Sequence, residues 1–498
     1  MKSSSRSLPR ALEIGAQIVM GLALLTLPFT SLPALSKPMG GTTVAPLSIV
    51  FLLLLAVGWL PVYILKGGSL PREFRPFLIF VAVALIASAA AFFLPIPPYK
   101  SHTVTDAELK ALFTFAIGCA AYFVIAIWHR EPGQFKIALW MLNLGGALIL
   151  VWSFIELYFV LFKHGQYADS LVLIQRLLSS RDLFDPGFRD RVGGFTYEPS
   201  WLAHQLNVVY IPYWLAATVT GYSTARKFRR LSLENLLLLG GVAIMYFTAS
   251  RVGLVAFLLV LAYMAYRLNL RLIAWLEGRI QLRLRDRTAQ VRERLRISTR
   301  ILLTAGLLAV YVGAFFAGLY LLPLINHRFG DLTRSLAYLS NPLEFAYQVG
   351  FAERVVYWAS GWSLFARYPI LGVGLGNAGF YFTQFLPNLS YHLGEILTLI
   401  YQAPDLPNIK SMWMRLLAET GLVGFSFFVA WQYQLWQAAH FLRSNSGRIL
   451  RTLGWMGAFA LVAFLAEGFS IDSFALPYLW VSTGLLTAAV LLARRESK

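Results

Sequence analysis

The chain is 498 residues long, 58% apolar and 13% charged, with a mean hydropathy of +0.62. Those values exclude a disordered chain and a soluble multidomain protein, both of which need more polar surface. The formal charge of +19 would suit nucleic acid, but the positions of the basic residues give it another meaning; the single cysteine, Cys119, lies in an apolar run and excludes a disulfide framework or a cysteine metal site.

Crossing a bilayer core takes roughly twenty apolar residues of helix. By that criterion about twelve spans are predicted, at about 12–35, 43–65, 76–96, 110–128, 137–162, 201–222, 234–249, 252–267, 301–322, 412–434, 452–471 and 476–493. The first is too long for a signal-peptide core and lacks a clear small-x-small cleavage site, so it is expected to be retained. With the N-terminus inside, the inner segments hold Lys2 and Arg6, Lys66 and Arg72, Arg130 and Lys136, Arg226 to Arg230, an Arg267–Arg300 block, Arg448 and Arg451, and Arg494 to Lys498. The short outer loops hold few basic residues, such as Lys37, Lys100 and Lys110. This is the positive-inside pattern of a multi-pass protein with both termini cytoplasmic, and no nucleic-acid partner is expected.

The chain therefore divides into N-terminal membrane helices (1–162), an outer loop (163–200), central helices (201–322), a large outer loop (323–411) and C-terminal helices (412–498). The basic segment 267–300 mixes arginines with Leu270, Trp275, Leu284 and Leu295, as an interfacial helix on anionic lipid does. Both outer loops balance acid and base, with Arg189 and Asp190 in one and Arg328, Asp331 and Arg334 in the other, and both are rich in aromatics. Mixed charge and aromatic faces suit sugar rings and phosphate.

The ten residues 191–200, RVGGFTYEPS, close the first outer loop. Arg191 is open to two readings, a salt bridge to Asp185 or Asp190, or a phosphate ligand through its paired donors. Glu198 is either a helix cap before Pro199 or a base beside the arginines. Arg251 follows Ala249-Ser250 at a membrane edge, where an arginine needs an anion: snorkelling or an internal pair competes with phosphate binding. In the second loop Glu353-Arg354 opens an amphipathic helix to about Phe365, and Tyr368-Pro369 breaks it before Gly372–Asn377. That glycine run follows no strand, so a tight turn lining a pocket is expected rather than a dinucleotide loop.

Four blocks in this order, RVGGFTYEPSWLA (191–203), TASRVGLVAF (248–257), ERVVYWASGWSLFARYPILGVGLGN (353–377) and LLAETGLVGF (416–425), resemble the O-antigen ligase/polymerase superfamily of bacterial membrane glycosyltransferases. The resemblance implies an all-α polytopic protein of the bacterial inner membrane, similar to the GT-C-like architecture, with its active site on the outer side. It implies a polyprenyl-pyrophosphate-linked glycan donor, a glycan acceptor, membrane lipids around the bundle, and no metal or other cofactor. Arg191 and Arg251 match the arginines that hold the donor pyrophosphate, and Arg354 a further basic position. Tyr197 and Trp358 are aromatic candidates for the glycan, and Glu198 is the candidate base. The ligase branch has a catalytic histidine about nine residues before the glutamate of the last block; Lys410 stands there, an extra candidate phosphate cation. That departure, with the Glu-Pro-Ser form of the first block, leans toward a Wzy-type polymerase of O-antigen, capsule or exopolysaccharide, with a chain-length regulator or export machinery as candidate partners. The alternatives are a ligase acting on lipid A core and, in a different class, a transporter or lipid flippase.

Overall fold

A computed structural model describes residues 10–497 apart from 39–41, 69, 186, 188–189, 227–228, 230, 284–288, 326–334 and 339. Lys2, Arg6, Arg189, Lys227, Arg230, Leu284, Arg328, Asp331, Arg334 and Lys498 lie outside the described residues. The described chain is helical: α1 (Arg10–Leu25), α2 (Leu47–Leu65), α3 (Arg75–Ala91), α4 (Val104–Trp128), α5 (Pro132–Phe162), α6 (Asp169–Leu178), α7 (Pro199–Gln205), α8 (Ile211–Thr220), α9 (Leu233–Phe247), α10 (Arg251–Arg283), α11 (Ala289–Ile325), α12 (Pro342–Gln348), α13 (Ala352–Arg367), α14 (Gly394–Tyr401), α15 (Met412–Arg443), α16 (Arg448–Glu467) and α17 (Tyr478–Glu496). Among the described residues eight helices are long and apolar enough to cross a membrane, and 11–25 and 233–247 are shorter apolar helices. Each of the twelve expected spans falls on helix, the first ending early, at Leu25.

Two compact units emerge, Met1–Phe257 with Val356–Lys498, and Leu258–Val355. In the first, an aromatic core joins α3, α4, α15 and α17. Trp431 stacks on Trp480 at 5.9 Å and donates to the Tyr122 hydroxyl, which pairs with Thr487 at 3.0 Å. Two sequence breaks shape the helices around it. Pro212 has no N–H for the Val208 carbonyl one turn back, and the chain widens into a π turn at Leu206–Tyr210 just before it. Ser482 of α17 supplies the missing donor, at 2.6 Å.

The second break is Gly421, at φ 62° and ψ −169°, which kinks α15. A Cβ there would collide with the Ile370 carbonyl. The kink frees the carbonyls of Ala418 and Glu419 to accept from Val373 and Gly374 at 3.0 and 2.9 Å. Gly372, Gly374 and Gly376 all have positive φ, so the glycine run is the expected tight turn, and it docks on the LLAETG block.

In the second unit α10 and α11 pair antiparallel. Asn269 meets Tyr311 at 2.8 Å, and Glu277 faces Arg296 and Arg300 at 3.9 and 3.6 Å. The basic block therefore extends two long helices instead of forming a separate interfacial one. Its described apolar residues continue the helical runs, in α10 as far as Arg283 and in α11 from Ala289.

Candidate active site

The RVGG segment folds around a carboxylate absent from the sequence-based candidates. Glu156, near the end of α5, is fully buried, and a buried anion needs a full set of donors. Arg181 Nη1 supplies one at 2.7 Å, and the Gly193 and Gly194 amides supply others at 3.2 and 2.8 Å. Both glycines are required. A Cβ on Gly193 would strike the Arg181 guanidinium, and Gly194 has φ +60° against Ile149. Arg181 Nη2 also donates to the Arg191 carbonyl at 3.1 Å, so the Glu156–Arg181 pair holds the backbone of Arg191. Phe195 is clamped between Phe29 and Trp152, with ring centroids 4.8 and 4.9 Å away.

The Arg191 side chain turns to the end of α9. Its Nε donates to the Thr248 carbonyl at 2.9 Å, and the Val192 amide donates to Phe247 at 3.0 Å. The exposed carbonyls at a helix end attract a cation. Ala249 then takes a left-handed turn, and Ser250 Oγ accepts from the Gly253 amide at 3.2 Å, starting α10 at Arg251. Arg251 is exposed. A Cβ on Gly253 would lie 2.6 Å from that of Ala203, so α10 begins directly against α7. The first two sequence blocks are thus brought to one place.

Glu198 is the N-cap residue of α7, with Pro199 in the first helical position. Its carboxylate makes no capping bond to the backbone; it accepts from Ser200 Oγ at 2.8 Å. Tyr197 packs on Trp201, with centroids 5.9 Å apart. Burial, and then the charges of Glu198 and Asp185, raise its hydroxyl above the ordinary tyrosine range.

The start of α15, the helix that carries the fourth block, is tied through the end of α16 to residues 204–207, just after the first block. His204 Nδ1 lies 3.2 Å from Glu467 Oε2, and Asn207 donates to Glu467 Oε1 at 2.6 Å. The next carbonyl, of Gly468, accepts from the Met412 amide at 2.7 Å and from Ser411 Oγ at 3.1 Å. Beside it Trp358 packs on Phe469 at 5.1 Å. Lys410, at φ +48°, is bonded to Glu395 at 2.5 Å and sits 4.7 Å over the ring of Tyr357, whose hydroxyl donates to the same carboxylate at 2.9 Å. Arg415 bonds to Glu419 at 2.8 Å and to the Asp472 carbonyl at 2.7 Å. Arg354 stands in the first turn of α13, half-buried, within the 258–355 unit.

Glu156, His204, Asn207, Arg415 and Glu467 escaped the sequence-based candidates. Glu156 and Glu467 did leave a signal, an ionisable residue near the end of an otherwise apolar run. Among the described residues no three His, Cys, Asp or Glu side chains converge as a metal-ligand set.

Residues 236–429 match the Wzy_C family model, described as O-antigen ligase. The match takes in the second, third and fourth blocks and leaves RVGGFTYEPSWLA outside it. No curated protein matches the chain.

Proposed function

We propose that this chain, which through residues 236–429 belongs to the O-antigen ligase/polymerase superfamily, polymerises lipid-pyrophosphate-linked oligosaccharide repeats. The observation that carries this reading is the bond from Arg191 Nε to the Thr248 carbonyl, three residues before Arg251. It joins two arginine-bearing blocks, far apart in sequence, at one end of the bundle.

In the proposed reaction the acceptor hydroxyl attacks the anomeric carbon as the bond from that carbon to the pyrophosphate oxygen breaks. One displacement of this kind inverts the anomeric centre. Negative charge grows on the departing lipid pyrophosphate, and Arg191 and Arg251 neutralise it. Guanidinium suits the task because its paired donors match phosphate oxygens. Glu198, which opens α7, receives the acceptor proton. Tyr197 and Trp358 offer ring faces to the glycan. The active site lies on the outer face of the bacterial inner membrane, with both termini in the cytoplasm.

Lys410 supports a polymerase over a ligase. It stands where the ligase branch has its histidine, and a lysine ammonium paired with Glu395 can donate but cannot accept a proton. The same pairing weakens it as a phosphate cation.

The test is alanine at Arg191 and at Arg251, scored for polymer length and for the amount of protein in the membrane. Both variants should insert normally and make little or no polymer. Polymer of ordinary length from well-inserted Arg251→Ala protein would overturn the pyrophosphate role. The description of the matching family favours a second reading, a ligase, whose product would be a glycan-capped acceptor lipid with no change in chain length.

A further inference from the structure

One buried cluster beside the site has no part in the chemistry above. His204, Asn207 and Glu467 are each almost wholly buried. Asn207 Nδ2 donates to Glu467 Oε1 at 2.6 Å and to the Gly253 carbonyl at 2.7 Å, two residues past Arg251. The acid therefore grips the first turn of α10 through a single amide group. Its neighbour Gly468 grips the other side, accepting from Ser411 and Met412 next to Lys410. Consecutive residues thus tie the Arg251 turn and the Lys410–Ser411 segment to one point.

A buried carboxylate is an expensive tie. Well-packed apolar side chains hold helices together as firmly or more so, so stability alone does not explain the acid. A hydrogen-bonded fork gives what apolar packing does not, a fixed direction and distance between the groups it joins.

We infer that Glu467, with Asn207 and His204, is a positioning residue for glycosyl transfer, setting the placement of Arg251 relative to the 410–411 segment. The inference rests on the glycosyltransferase reading of the site. A displacement of about 1 Å between reacting groups can lower a rate about a hundredfold, so a small slackening here should be visible in turnover.

The experiment measures turnover, KM for a polyprenyl-pyrophosphate-linked repeat, and thermal unfolding of the full chain in lipid nanodiscs. Glu467→Gln keeps the size and one acceptor oxygen; Asn207→Ala cuts the link to Gly253 while leaving Glu467 and His204 in place, and serves if the first variant does not fold. Each should lower kcat about tenfold, with KM changed less than about twofold and the melting temperature little changed. Combined with Arg251→Lys, either should lose no more than the worse single variant, because both act through one placement. Wild-type kcat, losses that multiply in the double variant, or a fall in kcat that only tracks a fall in melting temperature would each overturn the inference. Full turnover from Arg251→Lys and Arg251→Ala would instead overturn the pyrophosphate reading, leaving the kcat of the Glu467 and Asn207 variants as a separate measurement.

Discussion

Replacing Glu156 with alanine should cost more stability than any other single change at the motif loop. Its side chain and that of Arg181 are both fully buried and 2.7 Å apart. Removing one partner of such a pair costs about 3–5 kcal/mol, because the other charge is left buried without compensation. The Gly193 and Gly194 amides lose their acceptor as well, and an unmade buried bond adds roughly 1–3 kcal/mol where no water enters. Against a typical total of about 5–15 kcal/mol, Glu156→Ala should therefore populate unfolded protein, seen as a large drop in melting temperature in detergent and low membrane yield. Arg181→Lys separates folding from function. It can keep the ion pair, but a single ammonium does not reproduce the fork that also reaches the Arg191 carbonyl. That variant should fold and lose about tenfold or more in the proposed polymer synthesis, since Arg191 is no longer held from behind. Unchanged melting of Glu156→Ala would refute the account of the loop, and full activity of Arg181→Lys would refute the link from the pair to Arg191.

Gly421→Ala should lower stability by about 1–3 kcal/mol, because it forces a side chain into a backbone region that favours glycine and against the Ile370 carbonyl; the melting temperature checks it, and no change would mean that the kink relaxes without cost. Tyr197 gives a pH dependence of definite sign. Its folded-state pKa is raised, so its contribution to stability is whole below the unfolded value of about 10 and is lost as pH rises past that value. Unfolding scans between about pH 8 and 11 should show a shallower alkaline decline for Tyr197→Phe than for the parent protein, and parallel curves would exclude this tyrosine as a contributor.

Much of the fold was legible because a lipid-facing helix writes its length directly into apolar runs. Pro369 and the glycines of 372–376 marked breaks that the structure keeps, whereas Pro212 and Gly421, inside predicted spans, gave no such signal. The basic block was legible as helix but not as two extended helices, since an arginine-rich amphipathic pattern is the same whether a helix lies on a surface or leaves it. In the site, the closeness of Arg191 to the TASR block was legible only through a resemblance. No local pattern tells the end of α9 from any other helix end. Glu156 and Glu467 were missed for a related reason. Their meaning depends on which donors the tertiary fold brings to them, and those donors come from residues 25 to 263 positions away in the chain.

The two acids also show how the candidate site divides its labour. In the proposed reaction Arg191 and Arg251 meet an anionic substrate that comes and goes, so the placement of their backbone matters to the transfer. Backbone carbonyls and amides supply that placement. Arg191 is steadied through its own carbonyl and through Nε on Thr248, and the Arg251 turn is steadied through the Gly253 carbonyl. The acids sit one step behind, Glu156 acting through Arg181 and two glycine amides, and Glu467 through Asn207. This arrangement accounts for the GG pair directly after Arg191, since only glycines let the backbone close on Glu156 and Arg181 together. The two buried acids thus act on backbone placement, Glu156 behind Arg191 and Glu467 behind the Arg251 turn.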